Sequence, residues 1–127
     1  SHEDDMNKIL ERLDSTIQRK IAESPNNSHT AKLFKKGTEK CAEKFGEEAV
    51  ELIVASVKKK KQAIINEAAD TLYHMCVLLR SKNISIQEVL SELVSREGVS
   101  GISFSQALNC FEFGKFFLSH SRCLSAL

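Results

Sequence analysis

Residues 62–81 read QAIINEAADTLYHMCVLLRS and form the most apolar stretch of the chain. Ile65, Ala68, Ala69, Leu72, Met75, Cys76 and Leu79 follow one another at steps of one and three, the spacing of one helical face. The stretch predicts a helix from about Gln62 to Ser81. Upstream, Lys58 to Lys61 read as a loop or a frayed end. Before them a helical region starts near Thr30, weakens at Gly37-Thr38 and continues through Phe45, Ala49, Leu52, Ile53 and Val57. Further back, Met6, Ile9, Leu10, Leu13, Ile17 and Ile21 make an amphipathic stripe from about Asp5 to Glu23, with Asp4 or Asp5 as the expected N-cap. Ser24-Pro25-Asn26-Asn27-Ser28 breaks it. Downstream, Ser85-Ile86-Gln87-Glu88 is a capping box that opens another helix. No stretch of residues 1–97 alternates with the period of a half-buried strand. The expected fold is all-α, a bundle of four to five helices.

Composition narrows the function. The chain has 127 residues, 18 Lys+Arg and 17 Asp+Glu, for a net charge of +1. That length suits one core rather than two. A charge so near zero lacks the footprint of a dedicated nucleic-acid binder. No apolar run approaches the roughly 20 residues of a membrane-spanning helix. Cys41, Cys76, Cys110 and Cys123 form no CxxC pair, which argues against a zinc ribbon or finger. With no signal peptide in view, they read as reduced thiols of a cytoplasmic protein. The charge is unevenly spread. Only Glu112, Lys115 and Arg122 are charged after residue 97, and five of the seven Phe lie after residue 103. The expected division is a helical domain over 4–102 and an atypical C-terminal extension over 103–127.

Two acidic clusters carry the chemistry. They are Glu47-Glu48-Ala49-Val50-Glu51 and Glu67-Ala68-Ala69-Asp70. At about 100° per residue Glu51 projects between Glu47 and Glu48, and Glu67 shares a face with Asp70. Like charges at this spacing cost a helix about a few tenths of a kcal/mol per pair, so they ask for a reason. If the two helices pack antiparallel, the acidic faces meet, and a cation would relieve their repulsion. Hard oxygen ligands favour Mg²⁺, with Mn²⁺ as an option, over zinc. The plainer alternative is a solvated face paired with nearby lysines.

Lys32, Lys36, Lys40 and Lys44 precede the acids at steps of four. They make one basic stripe if the helix survives Gly37. Such a stripe suits a polyphosphate, and it equally suits salt bridges to Glu39, Glu43 and Glu47. His74 falls on the stripe of Glu67 and Asp70, where it can orient a carboxylate or touch substrate. A hydrogen-bonded interface histidine is the alternative. Tyr73 points about 100° away and reads as packing.

Ser28-His29-Thr30-Ala31-Lys32-Leu33, Gly37, Lys40, Lys44-Phe45-Gly46-Glu47-Glu48-Ala49-Val50-Glu51 and Glu67-Ala68-Ala69-Asp70-Thr71-Leu72-Tyr73-His74 together resemble the phosphoribosyl-ATP pyrophosphohydrolases of histidine biosynthesis. These belong to the MazG-like all-α nucleotide pyrophosphohydrolases, whose signature is EExxE followed by ExxD. The resemblance covers about residues 6–102. It implies Mg²⁺-dependent hydrolysis of phosphoribosyl-ATP between the α- and β-phosphates, giving phosphoribosyl-AMP and pyrophosphate. It further implies Glu48, Glu51, Glu67 and Asp70 as metal ligands. Glu47 would be a further ligand or the carboxylate that activates water, a role open to Glu48 as well, and Lys32, Lys40 and Lys44 would bind phosphate. His29, Cys41 and Thr71 depart from the usual family residues. Relatives form dimers around a helical bundle, so a homodimer is expected. Two other functions compete: a house-cleaning nucleoside triphosphate pyrophosphohydrolase using the same acids, and a non-enzymatic helical adaptor.

Overall fold

The computed structural model describes residues 5, 6, 8–58 and 60–98. These form five helices and no strand: α1 Ile9–Ile21, α2 His29–Lys35, α3 Thr38–Lys58, α4 Lys61–Ser81 and α5 Ile86–Arg96. By its contacts the chain divides after Ile86, so that α1 to α4 make up one unit and α5 from Gln87 onward belongs to a second. The extension over 103–127 lies outside the described residues.

The helix ends follow from local chemistry. Of the two expected caps, Asp4 lies outside the described residues and Asp5 is helical. The N-cap of α1 is Lys8, which makes no side-chain capping bond, and Asp5 instead meets the Arg12 guanidinium. The 24–28 break folds as a turn, with the Asn27 and Ser28 amides donating to the Ser24 carbonyl. Ser28 then caps α2, its hydroxyl accepting from the Ala31 amide at 3.1 Å. Gly37 has φ +96° and serves two helices. Its amide donates to the Phe34 carbonyl at the end of α2, and its carbonyl accepts the Cys41 amide at the start of α3. A side chain would meet nothing within 4 Å there, so glycine is required by conformation and not by space. The region expected from Thr30 is therefore two helices meeting at a bend.

α3 and α4 pack as an antiparallel pair. The start of α3 meets the end of α4, where the Thr38 hydroxyl donates to the Ser81 carbonyl at 3.4 Å. Their middles meet at Thr71, whose hydroxyl lies 2.7 Å from the Glu67 carbonyl and 3.3 Å from that of Glu48. The core among the described residues centres on Ile17, Cys41, Ala55, Cys76 and Val77. Burial pushes both thiols up, Cys76 to about 11 with Asp14 adding to the effect, so neither is a ready nucleophile.

Asp14 ties the bundle end together. It is 4% exposed, and it accepts from Arg80 Nε at 2.8 Å, from Arg80 Nη2 at 2.9 Å and from the Ile86 amide at 2.9 Å. The chain reaches that point through a Schellman turn. Asn83 takes φ +58°, Ile84 N–H donates to the Leu79 carbonyl, and Asn83 N–H donates to that of Arg80. Asn tolerates the left-handed conformation better than other non-glycine residues.

The apolar surface exceeds what this core covers. Val50, Ile53, Val54 and Val57 line one stripe of α3 and stay exposed, Val57 at 80%. Ile65 and Leu72 of α4, counted with its apolar face in the sequence pattern, are exposed as well. None of the helices is long and apolar enough to cross a membrane among the described residues.

Candidate active site

The antiparallel pairing of α3 and α4 brings the two acidic clusters together. Donor oxygens of Glu48, Glu67 and Asp70 all lie within 4.8 Å of one another. Each acid is placed by its spacing: Glu67 and Asp70 lie three apart on α4, and Glu48 faces them from α3. Thr71, the departure noted in the sequence, stands between the Glu48 and Glu67 carbonyls and fixes the crossing there. Glu51, one turn along α3, is exposed and lies outside the group of three.

The cluster is only partly satisfied. Glu67 Oε2 is buried and has no hydrogen-bond partner among the described residues. Leaving such an atom orphaned is costly unless something absent from the protein chain completes it. Glu48 is buried, with Lys44 Nζ at 3.5 Å and His74 Nε2 at 4.0 Å, the latter too far for a hydrogen bond. His74 sits behind Glu48 and does not line the cleft described below. Its ring meets Tyr73 edge-on at a centroid distance of 4.8 Å, and its Nδ1 is buried without a partner among the described residues. Burial lowers its pKa, with Lys44 and His29 adding to the effect against Glu48 and Asp70. Tyr73 in turn hydrogen-bonds Thr30, which joins α4 to α2 beside the site.

A cleft of about 310 Å³ opens next to the acids. From the α2 side it is lined by His29, Lys32 and Leu33, with Lys36 just past the helix end. From α3 it is lined by Lys40, Glu43, Lys44 and Glu47. The four lysines thus share a cleft although no single helix carries them. The bend at Gly37 does what a continuous stripe was expected to do. Salt bridges are present too: Lys40 pairs with Glu43 at 3.2 Å, and Lys44 with Glu47 and Glu48 at 3.5 Å each. Desolvation pulls the Lys44 pKa down, but Glu47 and Glu48 outweigh it and hold the ammonium above its ordinary value. Lys44 therefore stays charged between the acid cluster and the cleft.

The contacts made by Asp14, Thr30 and Thr71 escaped the sequence reading. Asp14 left a trace, because it shares the apolar stripe of Leu10, Ile17 and Ile21, where an acid needs a partner.

An all-α bundle with facing acids and an adjoining lysine cleft is consistent with the class of MazG-like nucleotide pyrophosphohydrolases. Within that class the chain belongs to the phosphoribosyl-ATP pyrophosphohydrolase family, whose model matches residues 10–97. It is 53% identical to the phosphoribosyl-ATP pyrophosphatase of Dinoroseobacter shibae over 95 residues, 75% of this chain and 93% of the relative. The enzymes of that name from Rhodobacter capsulatus and Paracoccus denitrificans are also 53% identical. Those matches cover 74% and 73% of this chain, and 91% and 86% of the respective relatives.

Proposed function

We propose that this chain hydrolyses phosphoribosyl-ATP between its α- and β-phosphates, releasing phosphoribosyl-AMP and pyrophosphate in the second step of histidine biosynthesis. The observation that carries the reading is the convergence of Glu48, Glu67 and Asp70, with one Glu67 oxygen buried and unpartnered among the described residues, beside a cleft walled by lysines. Such a donor set, all hard oxygen, fits Mg²⁺ or Mn²⁺. Glu48, Glu67 and Asp70 would hold the ion, with Glu51 as a further ligand. When bound, it supplies Lewis-acid polarisation of phosphoryl oxygen and acidifies water.

The remaining work falls to the chain's own groups. Lys32, Lys40 and Lys44 bind the substrate's phosphates, and Lys40 and Lys44 offset charge on the departing pyrophosphate. Glu47, exposed on the cleft wall, accepts the proton of the attacking water, with Glu48 as the alternative base. His74 lies beside Glu48, with its Nε2 at 4.0 Å, and is the further candidate for a substrate contact. This chemistry resides in residues 4–102, and the buried thiols of Cys41 and Cys76 suit a cytoplasmic setting. In a pyrophosphate-release assay with Mg²⁺, phosphoribosyl-ATP is expected to be turned over in preference to a panel of nucleoside triphosphates. A broad preference for the panel would move the enzyme to the house-cleaning class.

The exposed Val50, Ile53, Val54 and Val57 stripe supports a homodimer built on α3. Wild type is expected to sediment as a dimer at micromolar concentration, and Ile53→Lys as a monomer. A monomeric wild type would remove the proposal.

A further inference from the structure

The cleft holds more positive charge than its acids neutralise. Its walls carry four lysines against Glu43 and Glu47. Lys40 and Lys44 are taken up by ion pairs with Glu43, Glu47 and Glu48. Lys32 and Lys36 are exposed and have no ion-pair partner among the described residues. They stand four apart at the end of α2, on one side of the cleft, where their charges repel unless an anion sits between them. Gly37 aims this pair at the α3 wall by turning the chain directly after Lys36.

Position separates the pair from the acids. Lys36 lies at the bend, next to the first turn of α3. Glu48 is eight residues beyond Lys40 on α3, about 12 Å along the helix at 1.5 Å per residue. A triphosphate whose reacting bond lies at the acids is served first by Lys44 and Lys40. Lys36 stands at the far end, and two uncompensated charges there match one phosphate monoester, which carries about −1.5 to −2 at pH 7.

We propose that Lys36, together with Lys32, forms a second anion subsite for a phosphate monoester distinct from the triphosphate. It thereby selects a nucleotide bearing a phosphoribosyl group over a plain nucleoside triphosphate. The subsite rests on the proposed function, since that substrate carries both kinds of phosphate.

The test compares kcat/KM for phosphoribosyl-ATP and for ATP in wild type, Lys36→Met and Lys36→Arg. Lys36→Met is expected to lower the ratio of the two about tenfold, the value of one hydrogen bond to a charged group, with the loss in KM for phosphoribosyl-ATP. Lys36→Arg is expected to restore most of it. A ratio unchanged in Lys36→Met, whether both substrates suffer equally or neither does, overturns the subsite alone. A wild type that prefers ATP overturns the proposed function and the subsite with it.

Discussion

Glu67→Gln is expected to slow pyrophosphate release from phosphoribosyl-ATP about a thousandfold while leaving the far-ultraviolet circular dichroism unchanged. A bound divalent ion supplies several kcal/mol of transition-state stabilisation, and each ~1.36 kcal/mol is a factor of ten in rate. Glu67 carries this expectation because its Oε2 is buried with no partner among the described residues, and because the residue groups with Glu48 and Asp70. The same change is expected to raise the melting temperature of metal-free protein, since it removes one of three crowded charges. Added Mg²⁺ should then stabilise wild type, because it binds the folded state, and fail to stabilise the variant. Asp70→Asn should behave alike. A Glu67→Gln enzyme that keeps a tenth of its activity would refute the metal-site reading.

Asp14→Ala should be the most damaging substitution for stability among residues away from the active site. Breaking a buried ion pair by removing one partner costs about 3–5 kcal/mol, because the other charge keeps its desolvation penalty. Here the change withdraws the carboxylate from two Arg80 donors and from the Ile86 amide. For a helical body of this size that is a fall in Tm of more than about 12 °C, at some 4–8 °C per kcal/mol. Thermal unfolding at matched protein concentration measures it, and a drop of under about 4 °C would show that the network is dispensable. A buried pair is not in itself a source of stability over an apolar one. Asp14→Leu with Arg80→Met should therefore recover much of what Asp14→Ala loses.

These two residues mark the limit of what the sequence makes legible. Glu67 and Asp70 were visible because a helix repeats every 3.6 residues, so acids three apart announce a shared face. Lys32 to Lys44 were visible by the same rule, though through a stripe that the chain does not form. Asp14 was not, because its partners Arg80 and Ile86 lie 66 and 72 residues away and no local period connects them. The Thr30–Tyr73 bond, between residues 43 apart, was hidden for the same reason. Exposed Ile65 and Leu72 show the converse limit. Periodicity identifies an apolar face and does not say whether this core or another surface covers it.

By itself the sequence determined the helical class, the break at 24–28, and the residue types gathered for the chemistry. All of these are set within a few residues along the chain, by backbone preference and side-chain period. Only the tertiary structure decided that Glu48 joins Glu67 and Asp70 while Glu51 stays exposed. It alone turned two short runs of lysine into the walls of one cleft, and placed Asp14 against Arg80. Those outcomes depend on how α3 crosses α4 and where Gly37 bends the chain, and packing between distant segments settles both.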